Sequence, residues 1–434
     1  MKTKEKTMVF ESTAHKLPSV ENNIRAIFNR IQNPLKCGKK MERVFTVVHQ
    51  KKEKHVAQTT HDVNHQNAQP LSKYTIQTIP TISEELKPLL SQASATYVQH
   101  FNGKTWYGRC IFLSWYCALA DCSFCFRATK VRGTNQATKT PQESLRSQAS
   151  VALEALFCKT FGWRIEFLTG GYGMMPFPKL VEFAKLVSTV YGEKIWLNVG
   201  ILSEHQLTQL QPYVKGICSS IETCTPKLHD EVCPRKPIGP YEKMFSMMNE
   251  KFPYMKKSIA IIVGLSKETG INDDFQDLTN FIEKHKLDRI TIYALKPVRG
   301  TKFTQPPTTD EFIEIIVKVR TRFPKLQIIA GTNLRRCLEA GYLMKAGANA
   351  ITKFPATKQF ATPLAQQVSA LIGNENRTFT SNLTKMPDID WNSTIQALDI
   401  DQEIKEEMKK KVQPYLRRFA QPTTVESESG CFEE

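Results

Sequence analysis

The chain has 434 residues, of which 41% are hydrophobic and 23% are charged, and it carries a formal net charge of +17. This composition is that of a folded globular protein, and no stretch approaches the roughly 18 apolar residues of a membrane span. The N-terminal segment lacks the apolar core of a secretory signal, so we expect a cytoplasmic protein. In that compartment the eleven cysteines favour thiol or metal chemistry over structural disulfides.

The positive charge is concentrated in the first 60 residues and near the C-terminus. A basic surface permits binding to nucleic acid or another polyanion. No RNA-binding sequence module accompanies the charge, so we favour a role in solubility and treat nucleic-acid binding as the weaker alternative.

Three segments are predicted along the chain. Residues 1–70 form a basic, partly flexible extension with an amphipathic helix at 20–32 and three histidines in a polar linker, His55, His61 and His65. Residues 71–372 form the main domain, which a helix at 83–101 introduces. Residues 373–434 are expected to contribute one or two helices packed outside the main domain, followed by a disordered tail.

Within the main domain a strand is followed by a helix eight times. We expect the strands at 110–116, 164–170, 194–200, 216–222, 257–265, 289–295, 326–332 and 348–354. Most are short continuous apolar runs, as in parallel strands with both faces buried. The first helix, at 141–157, opens with capping-box spacing from Thr140 to Glu143. The pattern predicts an α/β fold, a (βα)8 TIM-type barrel with an N-terminal extension and C-terminal helices, and a doubly wound sheet is the alternative.

A short cysteine-rich loop follows the first predicted strand. Cys117, Cys122 and Cys125 have C-x4-C-x2-C spacing, so three thiolates can converge on one metal centre. Soft thiolate ligands select zinc, Cu(I) or iron–sulfur clusters, and closed zinc sites usually use four ligands. Three ligands suit a [4Fe-4S] cluster with one open iron. Cys110 is placed at the start of its strand, at the end opposite this loop, and is interpreted as structural.

Active sites of such barrels form at the carboxyl ends of the strands, where the cysteine loop belongs. Other polar or glycine residues follow other predicted strands at the same end. They are Gly170, Gly171 and Tyr172 after the second strand, Asn198 in the third, Ser220, Glu222 and Thr223 in the fourth, Gly264 to Glu268 after the fifth, Lys296 and Arg299 after the sixth, and Asn333 after the seventh. This convergence predicts one site built from several loops.

With these residues in view, the chain resembles radical SAM enzymes, and within them the biotin synthase-like group, which includes biotin synthase, methylornithine synthase and hydrogenase-maturation enzymes. The resemblance covers roughly residues 105–360, and the matching stretches are CALADCSFC, LTGGYG, ILSEHQL, SSIETCTPKLHDEV, IIVGLSKET, ALKPVRGT and AGANAIT. The family's usual loop is C-x3-C-x2-C, so this chain has one extra residue between Cys117 and Cys122.

The resemblance implies two cofactors, a [4Fe-4S] cluster on Cys117, Cys122 and Cys125, and S-adenosylmethionine (SAM). Reductive cleavage of SAM would give a 5′-deoxyadenosyl radical that acts on a small-molecule substrate, with cofactor biosynthesis as one setting. The SAM-binding positions that it implies are Gly170 and Gly171 beside the methionine, Ser220 and Glu222 near the ribose or methionine, Arg235 on the carboxylate, and Gly264 beside the adenine. Tyr172 stands where the family often has an acidic residue. The catalytic residues are not identified.

Two other functions remain open at this point. One is biotin- or lipoyl-type sulfur insertion, but the positions that hold the second cluster in biotin synthase fall near Glu166, Trp196, Ser258 and Gln327, none of which is a thiolate. An auxiliary cluster on Cys224 and Cys233 is the other route to it. The second function is a zinc-dependent RNA-binding protein. We expect a ferredoxin or flavodoxin as electron donor and no membrane partner, and a homodimer stays open.

Overall fold

The computed structural model describes residues 78–128 and 140–421. The predictions for residues 1–70 and for the tail after residue 421, and the cysteines Cys37 and Cys431, therefore lie outside the described residues. The strands are β1 Lys104–Phe112, β2 Arg164–Thr169, β3 Ile195–Asn198, β4 Val214–Glu222, β5 Lys256–Val263, β6 Arg289–Ala294, β7 Gln327–Gly331, β8 Ala350–Thr352 and the two-residue β9 Thr378–Phe379.

Among the described residues, one helix precedes the first strand, and the others come after or between the strands. They are α1 Leu86–His100, α2 Gln148–Phe161, α3 Phe177–Tyr191, α4 Glu204–Leu210, α5 Pro226–Val232, α6 Gly239–Lys251, α7 Ser266–Thr269, α8 Phe275–His285, α9 Thr309–Arg322, α10 Ala340–Lys345, α11 Ala356–Gln359, α12 Pro363–Gly373, α13 Trp391–Gln396 and α14 Gln402–Ala420.

Strands β1 to β8 form a closed parallel barrel, which confirms the predicted (βα)8 fold. Each strand pairs with the next, and β1 closes the ring by pairing with both β2 and β8. Strand β9 adds to β1 at Lys104 and Thr105. Because all eight strands run the same way, the loops that follow them gather at one end. No helix within 78–128 and 140–421 has the length and apolarity to cross a membrane.

The first strand lies earlier in the chain than predicted. It begins at Lys104 and ends at Phe112, so the apolar run at 113–116 is already loop. In that run Ser114 pairs with Leu145, and the Trp115 ring stacks on Phe112 with 4.7 Å between ring centres. The apolar residues that indicated a strand therefore pack as a loop. The prediction that Cys110 starts its strand, at the end opposite the cysteine loop, is wrong, because Cys110 lies close to the carboxyl end of β1.

The first barrel helix also begins later than predicted. The capping-box bonds form, since Thr140 N–H donates to Glu143 Oε2 at 2.8 Å and Glu143 N–H donates to Thr140 Oγ1 at 3.3 Å. They close only a turn, and α2 begins after Ser147, whose side chain accepts from Ser150 N–H. Thr140 and Glu143 have the side chains of a capping box. The helix nevertheless begins after Ser147, which can also act as an N-cap and is followed by more apolar residues.

Candidate functional site

The cysteine loop leaves the barrel at the carboxyl end of β1, as predicted. Leu113 N–H donates to Thr169 O at 2.8 Å, which ties the start of the loop to the end of β2. Farther along, the Arg127 side chain donates to Trp115 O at 2.9 Å and lies over the Phe126 ring. These contacts hold the two ends of the loop together and leave Cys117, Cys122 and Cys125 half-buried.

The glycine pair after β2 packs directly against this loop. Ala118 N–H donates to Tyr172 O at 2.8 Å. A side chain at Gly171 would place its Cβ 1.9 Å from Tyr116 O and 2.4 Å from Cys117 Cβ, so only glycine allows this approach. Gly170 is similarly enclosed by Met174. Two stretches that are separate in sequence thus form one surface next to Cys117.

Cys122 contacts a fourth cysteine that sequence reasoning did not connect to the loop. Ser123 N–H donates to Val232 O at 2.9 Å, and Cys122 packs in the apolar cluster that contains Val232 and Cys233. The hydrogen bond with Cys233 lowers the pKa of Cys122, and it raises the pKa of Cys233, which burial raises further. Burial raises the pKa of Cys125. Cys122 and Cys125 therefore lie in electrostatically different surroundings.

Glu222 and Ser220 lie at the end of β4, near the loop. Glu222 has a positive φ of 69° and follows a bulge in the strand pairing. Its carboxylate pairs with Lys236 Nζ at 2.7 Å, and Lys236 also donates to Ser220 O at 2.9 Å. Burial opposes the charge of Lys236, but the Glu222 carboxylate and the thiols of Cys233 and Cys122 raise its pKa above the usual range. Ser220 Oγ accepts from Asn198 Nδ2 at 2.9 Å.

Arg235 and Gly264 lie at the rim of the site. Arg235 is more than half exposed and bonds Asp121 Oδ2 and Leu119 O, so it braces the cysteine loop from outside. The buried cation near the thiols is its neighbour, Lys236. Gly264, with a φ of 103°, lines a cavity of about 200 Å³ together with Thr223 and Asp273. Nothing in the sequence distinguishes Lys236 from Arg235 as the residue that points inward, and the structure, in which Arg235 pairs with Asp121, argues against the predicted carboxylate contact of Arg235.

A polar network fills the barrel interior. Glu166 accepts hydrogen bonds from Cys110 Sγ at 3.2 Å, Thr291 Oγ1 at 2.8 Å and Tyr293 OH at 3.4 Å. Burial raises the pKa of Cys110 to about 12, and the Glu166 carboxylate adds to this effect. Burial also raises the pKa of Tyr293. Both groups are therefore protonated at neutral pH and act as hydrogen-bond donors.

The three cysteine thiols of the loop have the chemistry of iron–sulfur ligands, although their side chains are not grouped around one point. Three half-buried thiols in one loop are soft ligands with an open side. However, the described residues contain no group of three or more His, Cys, Asp or Glu side chains placed together as metal ligands. Cys224 lies apart in the main core near Asp273, so it and Cys233 do not share a site.

Comparisons with known proteins agree with this fold. No protein-family model matches the chain. The uncharacterized protein MJ0597 of Methanocaldococcus jannaschii is 31% identical over 352 residues, which cover 77% of this chain and 95% of that protein. Two solved structures are also similar to the chain at the level of the fold.

The first is methylornithine synthase (PylB), with a TM-score of 0.51 and 19% identity over 63% of this chain and 79% of that one. The second is the FeFe-hydrogenase maturase HydG from Carboxydothermus hydrogenoformans, with a TM-score of 0.52 and 16% identity over 78% of this chain and 87% of that one. At these identities the likeness shows a shared fold.

Proposed function

We propose that this chain, which belongs to the same protein family as MJ0597 of Methanocaldococcus jannaschii, is a radical SAM enzyme. In this proposal it binds a [4Fe-4S] cluster and cleaves S-adenosylmethionine reductively to act on a small-molecule substrate. Methylornithine synthase and the hydrogenase maturases belong to the group that the sequence resembles, and the shared barrel fold supports the proposal.

One observation carries the proposal. The cysteine loop and the glycine pair, predicted separately from the sequence, meet at the carboxyl end of the barrel through the bond from Ala118 N–H to Tyr172 O. Gly171 lies so close to Cys117 that a methyl group would not fit. A barrel places its chemistry at this end, and a zinc site has no evident need for the glycine contact.

The chain's own residues would do the following work. Cys117, Cys122 and Cys125 hold the cluster, and the bound cofactors supply a 5′-deoxyadenosyl radical. Lys236 and Glu222 form an ion pair beside the thiols. The carboxylate of SAM can replace Glu222 as the partner of Lys236, or the amino group of SAM can replace Lys236 as the partner of Glu222. Gly170, Gly171, Ser220 and Gly264 remain proposed SAM contacts, and Arg235 fixes the loop that carries the ligands.

The substrate is proposed to bind in the barrel interior. Glu166 offers a buried carboxylate, while Tyr293 and Cys110 offer donors that stay protonated at neutral pH. The largely buried position of these groups inside the barrel limits the contact of a reactive radical with water. A ferredoxin or flavodoxin remains the proposed electron donor, and the cytoplasm the proposed location.

The metal content of the purified protein tests the ligand assignment. After anaerobic reconstitution with iron and sulfide we expect about four irons per chain. Single Ala substitutions at Cys117, Cys122 and Cys125 should each lower this value strongly. Cys158→Ala, which removes a buried thiol from α2, should leave it unchanged. Tight zinc with no cluster would contradict the proposal and favour the zinc protein, while iron well above four would favour the sulfur-insertion alternative.

A further inference from the structure

A second cavity lies at the opposite end of the barrel from the cysteine loop. It has a volume of about 810 Å³ and opens among the first residues of the strands, including Trp106 of β1, Arg164 of β2 and Arg289 of β6. Small-molecule sites commonly occupy 300–1,000 Å³. Barrel chemistry belongs to the other end, so this cavity needs a separate explanation.

The walls of this cavity are strongly cationic. Two carboxylates also line it, Glu166 and Asp288. Glu166 is engaged by the interior network, and Asp288 Oδ2 accepts from Lys257 N–H at 2.8 Å. Six cations outnumber them, namely Arg164, Lys215, Lys256, Arg289, Arg322 and Lys325. Lys215 pairs with Glu193 and Arg322 with Glu283, which leaves four of the six cations without an ion pair among the described residues.

Two of the guanidinium groups lie over tryptophan rings. Arg289 is only 3% exposed and lies 3.7 Å from the Trp196 ring centre, while Arg164 lies 3.8 Å from that of Trp106. Arg289 donates to Ser258 Oγ and to Glu166 O. Neither arginine has a carboxylate within ion-pair distance among the residues that the structure describes. Arg164 is exposed, but Arg289 is a buried cation without an ion pair in the described part of the chain, which is costly, so its position favours an anionic partner.

The pKa of Lys215 is affected by the same concentration of positive charge. Burial lowers its pKa, the Glu193 carboxylate raises it, and Arg289 and Arg164 lower it further. Like charges that converge on one cavity repel one another unless an anion lies between them. The planar forks of two arginines, with lysines around them, match the oxygens of a phosphoryl group.

We propose that this cavity binds a phosphorylated small molecule. The ligand's phosphoryl group would lie between Arg289 and Arg164, with Lys215 and Lys256 at its edge. The volume leaves room for an organic part beyond one phosphate. This site is separate from the cysteine loop, so its occupancy does not depend on the proposed radical chemistry.

The test is calorimetric titration of the full-length chain with sodium pyrophosphate at neutral pH and fixed ionic strength. The variant Arg164→Gln/Lys256→Gln removes two exposed cations from the cavity and leaves Arg289, which supports the interior, in place. We expect its affinity to fall at least about tenfold, because each charge-assisted bond contributes strongly. The matched control, Lys185→Gln/Lys243→Gln, removes two exposed cations from α3 and α6 and should bind as the parent does.

Tryptophan fluorescence provides a second readout. Pyrophosphate should change the emission of the parent chain, and Trp106→Phe should remove part of that change, because Arg164 would move on the Trp106 ring. Equal weakening in the control variant, no binding by the parent chain, or equally tight binding of citrate would each overturn the proposal. The first outcome would mean general attraction by net charge, and the last would mean a polycarboxylate site.

Discussion

Glu154 supports the cysteine loop from behind, through two arginines. Its carboxylate pairs with Arg109 Nε at 3.1 Å and with Arg146 Nη2 at 2.7 Å, and Arg146 Nη1 donates to Phe112 O at 3.0 Å. Phe112 is the last residue of β1, so this ion cluster fixes the point where the loop begins. Burial alone would raise the pKa of Glu154, but Arg146 and Arg109 outweigh it and hold the pKa below its usual range.

We expect Glu154→Gln to lower the free energy of unfolding by about 3 kcal/mol at neutral pH, because it removes the carboxylate that pairs with two largely buried guanidinium groups. A carboxyl group with a depressed folded pKa stabilises the fold above its unfolded pKa and stops doing so as the pH falls. The difference between parent and variant should therefore shrink as the pH drops below about 4.5.

Denaturant unfolding at several pH values measures this difference. Glu182→Gln is the control, because it breaks an exposed pair with Lys179 on α3 and should change stability by less than about 1 kcal/mol. If the difference in the free energy of unfolding between the parent and Glu154→Gln stays constant down to acid pH, the carboxylate charge is not what stabilises the loop.

At the scale of elements, the contact between the β1 and β2 loops depends on one glycine. Gly171→Ala would force its methyl group into Tyr116 O, so the loops must separate. We expect reconstituted iron to fall to less than about half of the parent value, with little loss of overall stability, because the strain lies in loops outside the barrel core. Gly239→Ala, where a Cβ meets nothing within 4 Å, is the control. Full iron content in Gly171→Ala would contradict the role of this contact.

The elements also show which features a sequence can predict. The eight parallel strands were predictable because buried strands are continuous apolar runs. The end of β1 was not, because Leu113, Trp115 and Tyr116 are equally apolar whether they continue a strand or pack beneath a loop. The contact between Cys122 and Cys233 could not be predicted from the sequence either, because it depends on how α5 packs against the cysteine loop.

At the scale of the whole molecule, the barrel has two chemically different ends. The carboxyl end carries the cysteine loop, the glycine pair and the Lys236–Glu222 pair, and the amino end carries the cationic cavity. Glu166 lies between them, since it lines that cavity and also binds Cys110. The cavity was not predicted from the sequence, because its cations are scattered along the chain, at the starts of several strands and at or just after the end of α9.

We propose that this barrel cleaves S-adenosylmethionine at its cysteine loop. The most direct measurement is the formation of 5′-deoxyadenosine by the reconstituted, dithionite-reduced protein under anaerobic conditions. We expect formation by the parent chain and by Cys158→Ala, and none by the Cys117/Cys122/Cys125→Ala variant. A parent chain that holds a full cluster but forms no 5′-deoxyadenosine from S-adenosylmethionine would contradict the account.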